Sequence, residues 1–278
     1  MSDMHSQWFN PDQLTIIAGP CVIESDDLIR TVANKLKSLQ KQNITVIFKA
    51  SYDKANRTAK DSFRGPGLAK GLASLKSLKS EFQLPIITDV HDIHQVEKVS
   101  EVADIIQIPA FLCRQTDLIR EVAQSGSVIN IKKGQFLSPW AMKHVVEKAK
   151  SFGAKEVWLT ERGASFGYGS LVVDPRSFHV MSQFGCPVIF DATHSVQSPA
   201  SMTSTTQGDR QFIPVLARAA VAAGVQGLFF ETHPDPDVAL SDGPNMWPLD
   251  QLVDMVTGLN HLHSFIHQNK IIKRQLSI

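Results

Sequence analysis

The chain contains 278 residues, of which 43% are apolar and 20% are charged, and its formal net charge is +1. These values are typical of a globular protein with a large core, and the near-neutral charge excludes a protein held to nucleic acid or to a membrane surface by bulk electrostatics. No run reaches the roughly 18 apolar residues of a membrane helix and the start "MSDMHSQWFN" lacks an apolar signal core, so we expect a cytoplasmic protein.

Short runs rich in Val, Ile and Phe recur along the chain. In order they are "LTIIAGP", "TVIFKAS", "LPIITDVH", "ADIIQIPAF", "SVINIKK", "EVWLTERG", "PVIFDATH" and "GLFFETHP". Continuous apolar runs are typical of parallel strands covered on both faces. The segments between them keep helical spacing, as Leu28, Val32, Leu36 and Leu39 illustrate.

This alternation predicts an α/β fold, a single (β/α)8 TIM barrel over residues 1–278 with residues 1–13 as a short N-terminal extension. An open doubly wound sheet is the alternative, but no glycine-rich phosphate motif follows the first run. Two connections, residues 52–67 and 195–210, are unusually long, and such loops are often binding loops or lids.

Polar and ionisable side chains gather where the predicted strands end, and in a barrel those ends converge on one mouth. They are Cys21, Lys49, Asp89, His91, Gln107, Lys132, Lys133, Glu161, Arg162, Asp191, His194, Glu231 and His233. Any one cation could be a solvated surface residue, but a cluster that also includes Lys54 and Arg57 repels itself unless an anion fills it. The pattern predicts a small ligand with several negative charges.

Cys21 has three interpretations. The three cysteines of the chain form no CxxC motif, which excludes a disulfide framework. A buried space-filling residue is the simplest interpretation, and a nucleophile with His194 as its base is the second. With His194, Glu231 and Asp242, however, Cys21 forms a donor set suited to Zn²⁺, Fe²⁺, Mn²⁺ or Co²⁺, and we favour this metal site. Residues that could orient the ligands are His91, Asp191 and His233.

Several motifs together are similar to those of one enzyme family. "GPCVIES", "FKASYDKANR", "RGPG", "ITDVH", "QIPAFLCRQTDL", "INIKKGQF", "TERGASFGYGSLVVD", "FDATHSVQ" and "ETHPDPDVALSDGP" resemble the 3-deoxy-D-manno-octulosonate 8-phosphate synthases over about residues 14–250. The resemblance implies a homotetrameric barrel that condenses phosphoenolpyruvate with D-arabinose 5-phosphate and releases phosphate, in the synthesis of the inner-core sugar of lipopolysaccharide.

Two other functions compete with this one. The related 3-deoxy-D-arabino-heptulosonate 7-phosphate synthases use erythrose 4-phosphate and carry a "KPRTSP"-like segment where this chain has "KANRT". A non-catalytic sugar-phosphate-binding barrel is expected to lose reactive groups, whereas here the metal set and both cation clusters are intact. Both alternatives are therefore disfavoured.

The resemblance also implies dependence on a divalent metal. Metal-dependent members of the family carry Cys in the segment that matches "GPCVIES", whereas metal-independent members carry Asn. Cys21 therefore places the chain with the metal users, and the other three ligands match His194, Glu231 and Asp242.

The resemblance further assigns residues to each substrate. The phosphate of phosphoenolpyruvate would be held by Lys132 and Arg162. Its carboxylate and reactive carbons would be surrounded by Lys49, Ser51, Lys54 and Gln135. The sugar phosphate would be bound by Asn56 and Arg57, and the pocket wall would include Asp89 and Gln107. The predicted catalytic group is Lys49, Lys54, Asp89, His194 and Asp242. One departure is the loop "SPASMTSTTQGDR", which has less glycine before Arg210 than the family's loop.

Overall fold

The computed structural model describes residues 6–10, 12–57, 60–198 and 207–269. Within them, parallel strands form a closed barrel: Thr15–Gly19, Thr45–Lys49, Ile86–Asp89, Ile105–Ile108, Val128–Lys132, Val157–Glu161, Val188–Asp191 and Gly227–His233. Each strand pairs with the next, and the first also pairs with the eighth. The barrel prediction is confirmed and the open sheet is excluded.

In the part of the chain that the structure describes, one of the eight main helices follows each barrel strand, and the eighth follows the last strand. The helices are Asp26–Lys37, Leu68–Phe82, Ile93–Ser100, Thr116–Gln124, Met142–Ser151, Arg176–Ser182, Ile213–Ala222 and Leu249–Gln268. The first illustrates why they form: the side chain of Ser25 accepts a hydrogen bond from the Leu28 N–H, which caps the helix. Its spaced residues Val32 and Leu36 are buried against the sheet. No described helix has both the length and the apolar character needed to cross a membrane.

Apolar side chains fill the interior of the barrel, and residues of the N-terminal extension pack against them. Its buried residues are Ile17, Ile47, Ile87, Ile105, Trp158, Ile189 and Phe229. Trp8 and Phe9 of the predicted extension pack against this cluster, and the rings of Phe9 and Trp158 lie edge to face with centroids 4.7 Å apart. Because the described residues pack the interior, the room for a ligand inside the barrel is at the mouth formed by the carboxyl ends of the strands. Residues 1–5 and 11 of the extension lie outside the described residues.

Glycine is required at the end of the first strand. A Cβ at Gly19 would lie 1.8 Å from the carbonyl oxygen of Lys49, so no larger residue fits where the first two strands approach. Gly19 pairs with Glu231 on the eighth strand. The register therefore brings Cys21, two residues beyond Gly19, to the same rim of the barrel as Glu231.

Two short antiparallel strand pairs lie in the connections at the mouth of the barrel. Ala164–Phe166 pairs with Ser170–Val172 after the sixth barrel strand, a hairpin that the sequence patterns do not predict. Gln197–Ser198 pairs with Gln207–Gly208 at the two ends of the long seventh connection. Residues 199–206 of that predicted loop lie outside the described residues, so its role as a lid stays a prediction.

Candidate active site

A cavity of about 670 Å³ opens at the carboxyl ends of the barrel strands. Most of the predicted site residues line it: Lys49, Lys54, Asn56, Arg57, Asp89, Gln107, Lys132, Gln135, Arg162, His194, Glu231 and Asp242. Arg210 also lines it, whereas Cys21 and Ser51 are fully buried behind its wall. The cavity is large enough for small phosphorylated metabolites, and its lining includes the charged and amide side chains that such ligands need.

Lys132 and Arg162 form one cationic end of the cavity. Lys132 Nζ donates to Asp191 Oδ2 and lies 3.5 Å from the centroid of the Phe229 ring. Arg162 Nη2 donates to Gln197 Oε1, while its buried Nη1 has no hydrogen-bond partner among the described residues. A buried guanidinium nitrogen without a partner is costly, so an anionic oxygen bound there would be stabilised.

A buried ion pair lies next to this cationic end of the cavity and supports it. Lys133 Nζ lies 3.3 Å from Glu161 Oε1 and donates to the Leu137 carbonyl at 3.2 Å. The same Glu161 oxygen accepts from the backbone N–H groups of Arg162 at 2.9 Å and Gly163 at 2.7 Å. The pair therefore supports the ends of the fifth and sixth strands, although sequence reasoning could assign it no role.

The predicted metal ligands meet at the rim between the first and eighth strands. Cys21 Sγ lies 3.1 Å from Asp242 Oδ2, and ligand atoms of Cys21, Glu231 and Asp242 all lie within 4.8 Å of one another. His194 is outside this mutual group, but its Nε2 lies 3.7 Å from Glu231 Oε2. Three of the four predicted ligands thus converge and the fourth contacts one of them.

One unpartnered oxygen atom in this corner fits a cation. Glu231 Oε2 is buried and has no hydrogen-bond partner among the described residues. Burial acts to raise the pKa of Glu231, but Lys49, whose Nζ lies 2.7 Å from Oε1, keeps that pKa below its ordinary value, so the carboxyl is ionised. Burial and the Glu231 charge raise the pKa of the Cys21 thiol. A divalent cation would stabilise the thiolate and satisfy the free oxygen, so the residues present fit a metal of intermediate softness.

The backbone at Asp242 is held in a rarely populated conformation. Its φ is 52°, in the left-handed region, which aspartate tolerates better than most residues but which is still strained. The next residue is constrained too, because a Cβ at Gly243 would lie 2.4 Å from the Pro236 carbonyl oxygen. This tight turn places the Asp242 carboxylate beside Cys21, and strain of this kind is characteristic of functional sites.

Asp191 makes two contacts with His194, the kind of contact expected of a residue that orients a metal ligand. Asp191 Oδ2 lies 2.8 Å from His194 Nδ1, and Oδ1 accepts from the His194 backbone N–H at 2.9 Å. Nε2 is thereby directed toward Glu231. His233 Nε2 lies 3.7 Å from Glu24 Oε2, and His91 Nε2 lies 2.8 Å from Asp89 Oδ2.

The centre of the cavity contains a second polar network. Lys49 Nζ donates to the carbonyl of Cys21 at 3.1 Å in addition to Glu231, and Lys54 Nζ lies 3.9 Å from Glu231 Oε1. The Ser51 hydroxyl donates to Asp89 Oδ1. Ser51, which the resemblance places among the residues around phosphoenolpyruvate, is fully buried and lies behind Asp89, which lines the cavity.

Arg57 marks the end predicted to hold the sugar phosphate. Its Nη1 donates to Ser241 Oγ at 2.7 Å and its Nη2 to the Leu240 carbonyl at 3.3 Å, while its buried Nε has no partner among the described residues. Arg210 Nη2 donates to the Gly243 carbonyl at 3.1 Å. Sequence reasoning missed Ser241, although it directly precedes the predicted ligand Asp242.

Comparisons with known proteins agree with one another. A model of the DAHP synthetase I family matches residues 9–268. A protein of Xanthomonas campestris pv. campestris strain B100, called 2-dehydro-3-deoxyphosphooctonate aldolase, is 57% identical over 250 residues, which is 90% of this chain and 91% of the relative. A protein of the same name from Legionella pneumophila strain Corby is 55% identical over 247 residues, 88% of this chain and 90% of the relative.

Proposed function

Because the chain belongs to the DAHP synthetase I family, among its 2-dehydro-3-deoxyphosphooctonate aldolases, we propose that it is a 3-deoxy-D-manno-octulosonate 8-phosphate synthase. It condenses phosphoenolpyruvate, D-arabinose 5-phosphate and water and releases inorganic phosphate, in the synthesis of the inner-core sugar of lipopolysaccharide. One observation supports this function: a single cavity is lined by two sets of side chains, each of which would bind the phosphate of one substrate. They are Lys132 with Arg162, and Asn56 with Arg57.

The reaction makes one carbon–carbon bond and one carbon–oxygen bond from water, and it breaks the carbon–oxygen bond to phosphate. C3 of phosphoenolpyruvate bonds to the aldehyde carbon of the pentose, and the hydroxyl of water adds at C2 while the other water proton goes to the former aldehyde oxygen. The C2–O bond to phosphate then breaks, and the hydroxyl proton at C2 leaves with the phosphate. Lys132 and Arg162 would neutralise the enolpyruvate, and holding both reactants in register can supply about 7–11 kcal/mol of the barrier.

We propose that Cys21, His194, Glu231 and Asp242 hold a divalent metal, which is Zn²⁺, Fe²⁺, Mn²⁺ or Co²⁺. The convergence of three ligand atoms within 4.8 Å and the free buried oxygen of Glu231 support this set. When bound, such an ion supplies a Lewis acid that can orient and polarise an aldehyde or a water molecule. Among the protein groups, Asp191 fixes the His194 ring and Lys49 keeps Glu231 ionised.

Phosphate release from phosphoenolpyruvate tests the reaction, the acceptor and the metal together. Purified protein is assayed with arabinose 5-phosphate and with erythrose 4-phosphate, each with and without a chelator. We expect release with the pentose, little with the tetrose, and loss of activity with the chelator that added Zn²⁺, Mn²⁺ or Co²⁺ reverses. Preference for erythrose 4-phosphate would contradict the assigned acceptor, and release with neither sugar would contradict the enzyme.

The pH dependence of phosphoenolpyruvate binding should reflect Lys132. Burial lowers the pKa of Lys132 to about 8, because the lost hydration outweighs the attraction of Asp191. Lys132 is a cation below that pH and becomes neutral above it, so the KM for phosphoenolpyruvate should rise as the pH passes through about 8. Measuring that KM across the range, beside a Lys132→Arg variant that stays charged and should give a flatter profile, checks this. A flat wild-type profile through the alkaline range would contradict it.

We propose that the chain assembles as a homotetramer. Large apolar side chains on the segments after the fourth, fifth and sixth strands support an oligomer, since Phe111, Phe136, Trp140, Phe166 and Tyr168 are 58% to 96% exposed. The molar mass measured by light scattering, as the protein elutes from a size-exclusion column, should be four times the 30.7 kDa of one chain. A stable species of single-chain mass would refute the assembly.

We propose a cytoplasmic location. The three cysteines, all buried and free of disulfides, support a reducing compartment, which also preserves a thiol ligand. Immunoblots of cell fractions should find the protein with a cytoplasmic marker, and recovery from the periplasm would oppose this.

A further inference from the structure

Ser241 lies between two functional side chains that come from different parts of the chain. Its Oγ is 2.7 Å from Arg57 Nη1 and 3.1 Å from Cys21 Sγ, and the residue is only 3% exposed. The following residue, Asp242, places Oδ2 3.1 Å from the same sulfur. One buried hydroxyl therefore joins the arginine assigned to the sugar phosphate to the corner assigned to the metal.

The chemistry of arginine determines the direction of these hydrogen bonds. A guanidinium has donors only, so Ser241 Oγ must accept from Arg57 Nη1. The single hydroxyl proton is then available to the sulfur of Cys21, which accepts it best as a metal-bound thiolate. Hydrogen bonds of this kind to a metal ligand orient the ligand and tune its strength.

Arg57 can keep this contact while it binds a phosphate. Its Nη2 donates to the Leu240 carbonyl at 3.3 Å, and its buried Nε has no hydrogen-bond partner among the described residues. A guanidinium has five N–H donors in a fixed fork, so donors remain for phosphate oxygens after Ser241 and Leu240 are served. Sugar-phosphate binding would therefore hold Arg57 against Ser241 instead of withdrawing it.

We propose that Ser241 is a positioning residue that holds Arg57 and Cys21 in one geometry, so that arabinose 5-phosphate and the divalent metal bind cooperatively. The inference rests on the proposed function, from which the two ligands are taken. Cooperativity of this kind is reciprocal: the sugar phosphate tightens metal binding by the same factor by which the metal tightens sugar-phosphate binding.

Cobalt titration of the metal-stripped protein tests the inference through a readout that does not need turnover. Binding is followed by the sulfur-to-cobalt charge-transfer absorption, with and without arabinose 5-phosphate. We expect the sugar phosphate to lower the wild-type Kd for Co²⁺. In Ser241→Ala we expect that Kd to rise about 10-fold or more and the effect of the sugar phosphate to disappear. In steady-state assays the KM for arabinose 5-phosphate should rise while that for phosphoenolpyruvate changes little.

Further variants separate this role from general damage. Ser241→Thr keeps the hydroxyl and should restore both the Co²⁺ affinity and the coupling. Ser177→Ala removes another buried serine, 2% exposed and on the sixth helix, and should behave as the wild type. Arg57→Lys keeps the charge but not the fork and should weaken Co²⁺ binding, with no additional loss when it is combined with Ser241→Ala.

Two results would overturn the inference. One is a Ser241→Ala protein with the wild-type Co²⁺ affinity and an undiminished effect of the sugar phosphate. The other, which applies even if that variant does not fold, is an Arg57→Lys protein with unchanged Co²⁺ affinity. Failure of the proposed function is distinguished from both, because it would appear as wild-type protein that releases no phosphate.

Discussion

Cys21→Ala is expected to lose its bound divalent metal and its turnover together. The sulfur lies 3.1 Å from Asp242 Oδ2 in the group that also contains Glu231. Removing the sulfur leaves the two carboxylates and His194 without the soft donor that selects the metal. Changing a residue that merely supports a ligand costs about 10–100-fold in affinity or activity, and the loss of a ligand should exceed that range. Metal content by elemental analysis and turnover with arabinose 5-phosphate measure the two effects.

Cys186→Ala is the matched control for this substitution. Cys186 is also a buried cysteine, 6% exposed, but it lies two residues before the seventh strand and does not line the cavity. The variant should therefore keep its metal and its turnover. Cys21→Asn tests the resemblance to the metal-independent members and should keep some activity without metal. A folded, substrate-binding Asn variant with no activity would show that further residues determine metal use. Full activity of metal-free Cys21→Ala would remove the metal hypothesis.

Arg162→Ala should raise the KM for phosphoenolpyruvate or lower kcat/KM for it by roughly 30-fold to a few thousand-fold, which corresponds to about 2–5 kcal/mol. Arg162 is 4% exposed, and its Nη1 has no partner among the described residues, so a bound phosphate would be its buried counter-charge. Removing the guanidinium leaves Lys132 as the only cation of this pair that can neutralise the phosphate. Steady-state kinetics with each substrate varied in turn measure the loss, which should spare the KM for arabinose 5-phosphate.

Two variants define the cause of that loss. Arg176→Ala removes an exposed arginine that pairs with Asp174 at the start of the helix after the sixth strand, and it should leave the kinetics unchanged. Arg162→Lys keeps the charge without the planar fork and should recover only part of the activity. Unchanged KM and turnover in Arg162→Ala would place this residue outside the site.

The barrel could be predicted because its signals are local. Runs such as "TVIFKAS" and "PVIFDATH" contain the observed strands Thr45–Lys49 and Val188–Asp191, since strands covered on both faces must be apolar at successive positions. The hairpin Ala164–Phe166 with Ser170–Val172 was missed because its strands are short and largely exposed, so they carry no apolar run. The polar residues at strand ends were predictable for the same local reason, since each lies within three residues of the end of its strand.

The sequence by itself determined the fold, the clustering of cations at one mouth and, through its motifs, the family of the chain. Only the tertiary structure decided which of these groups touch. Closure of the barrel pairs Gly19 with Glu231, and the strained turn at Asp242 brings its carboxylate to Cys21 across 221 positions of the chain. The tertiary structure also directs the Ser51 side chain toward Asp89 and places Ser241 between Arg57 and Cys21. Side-chain direction depends on packing between distant segments, and no local periodicity encodes that packing.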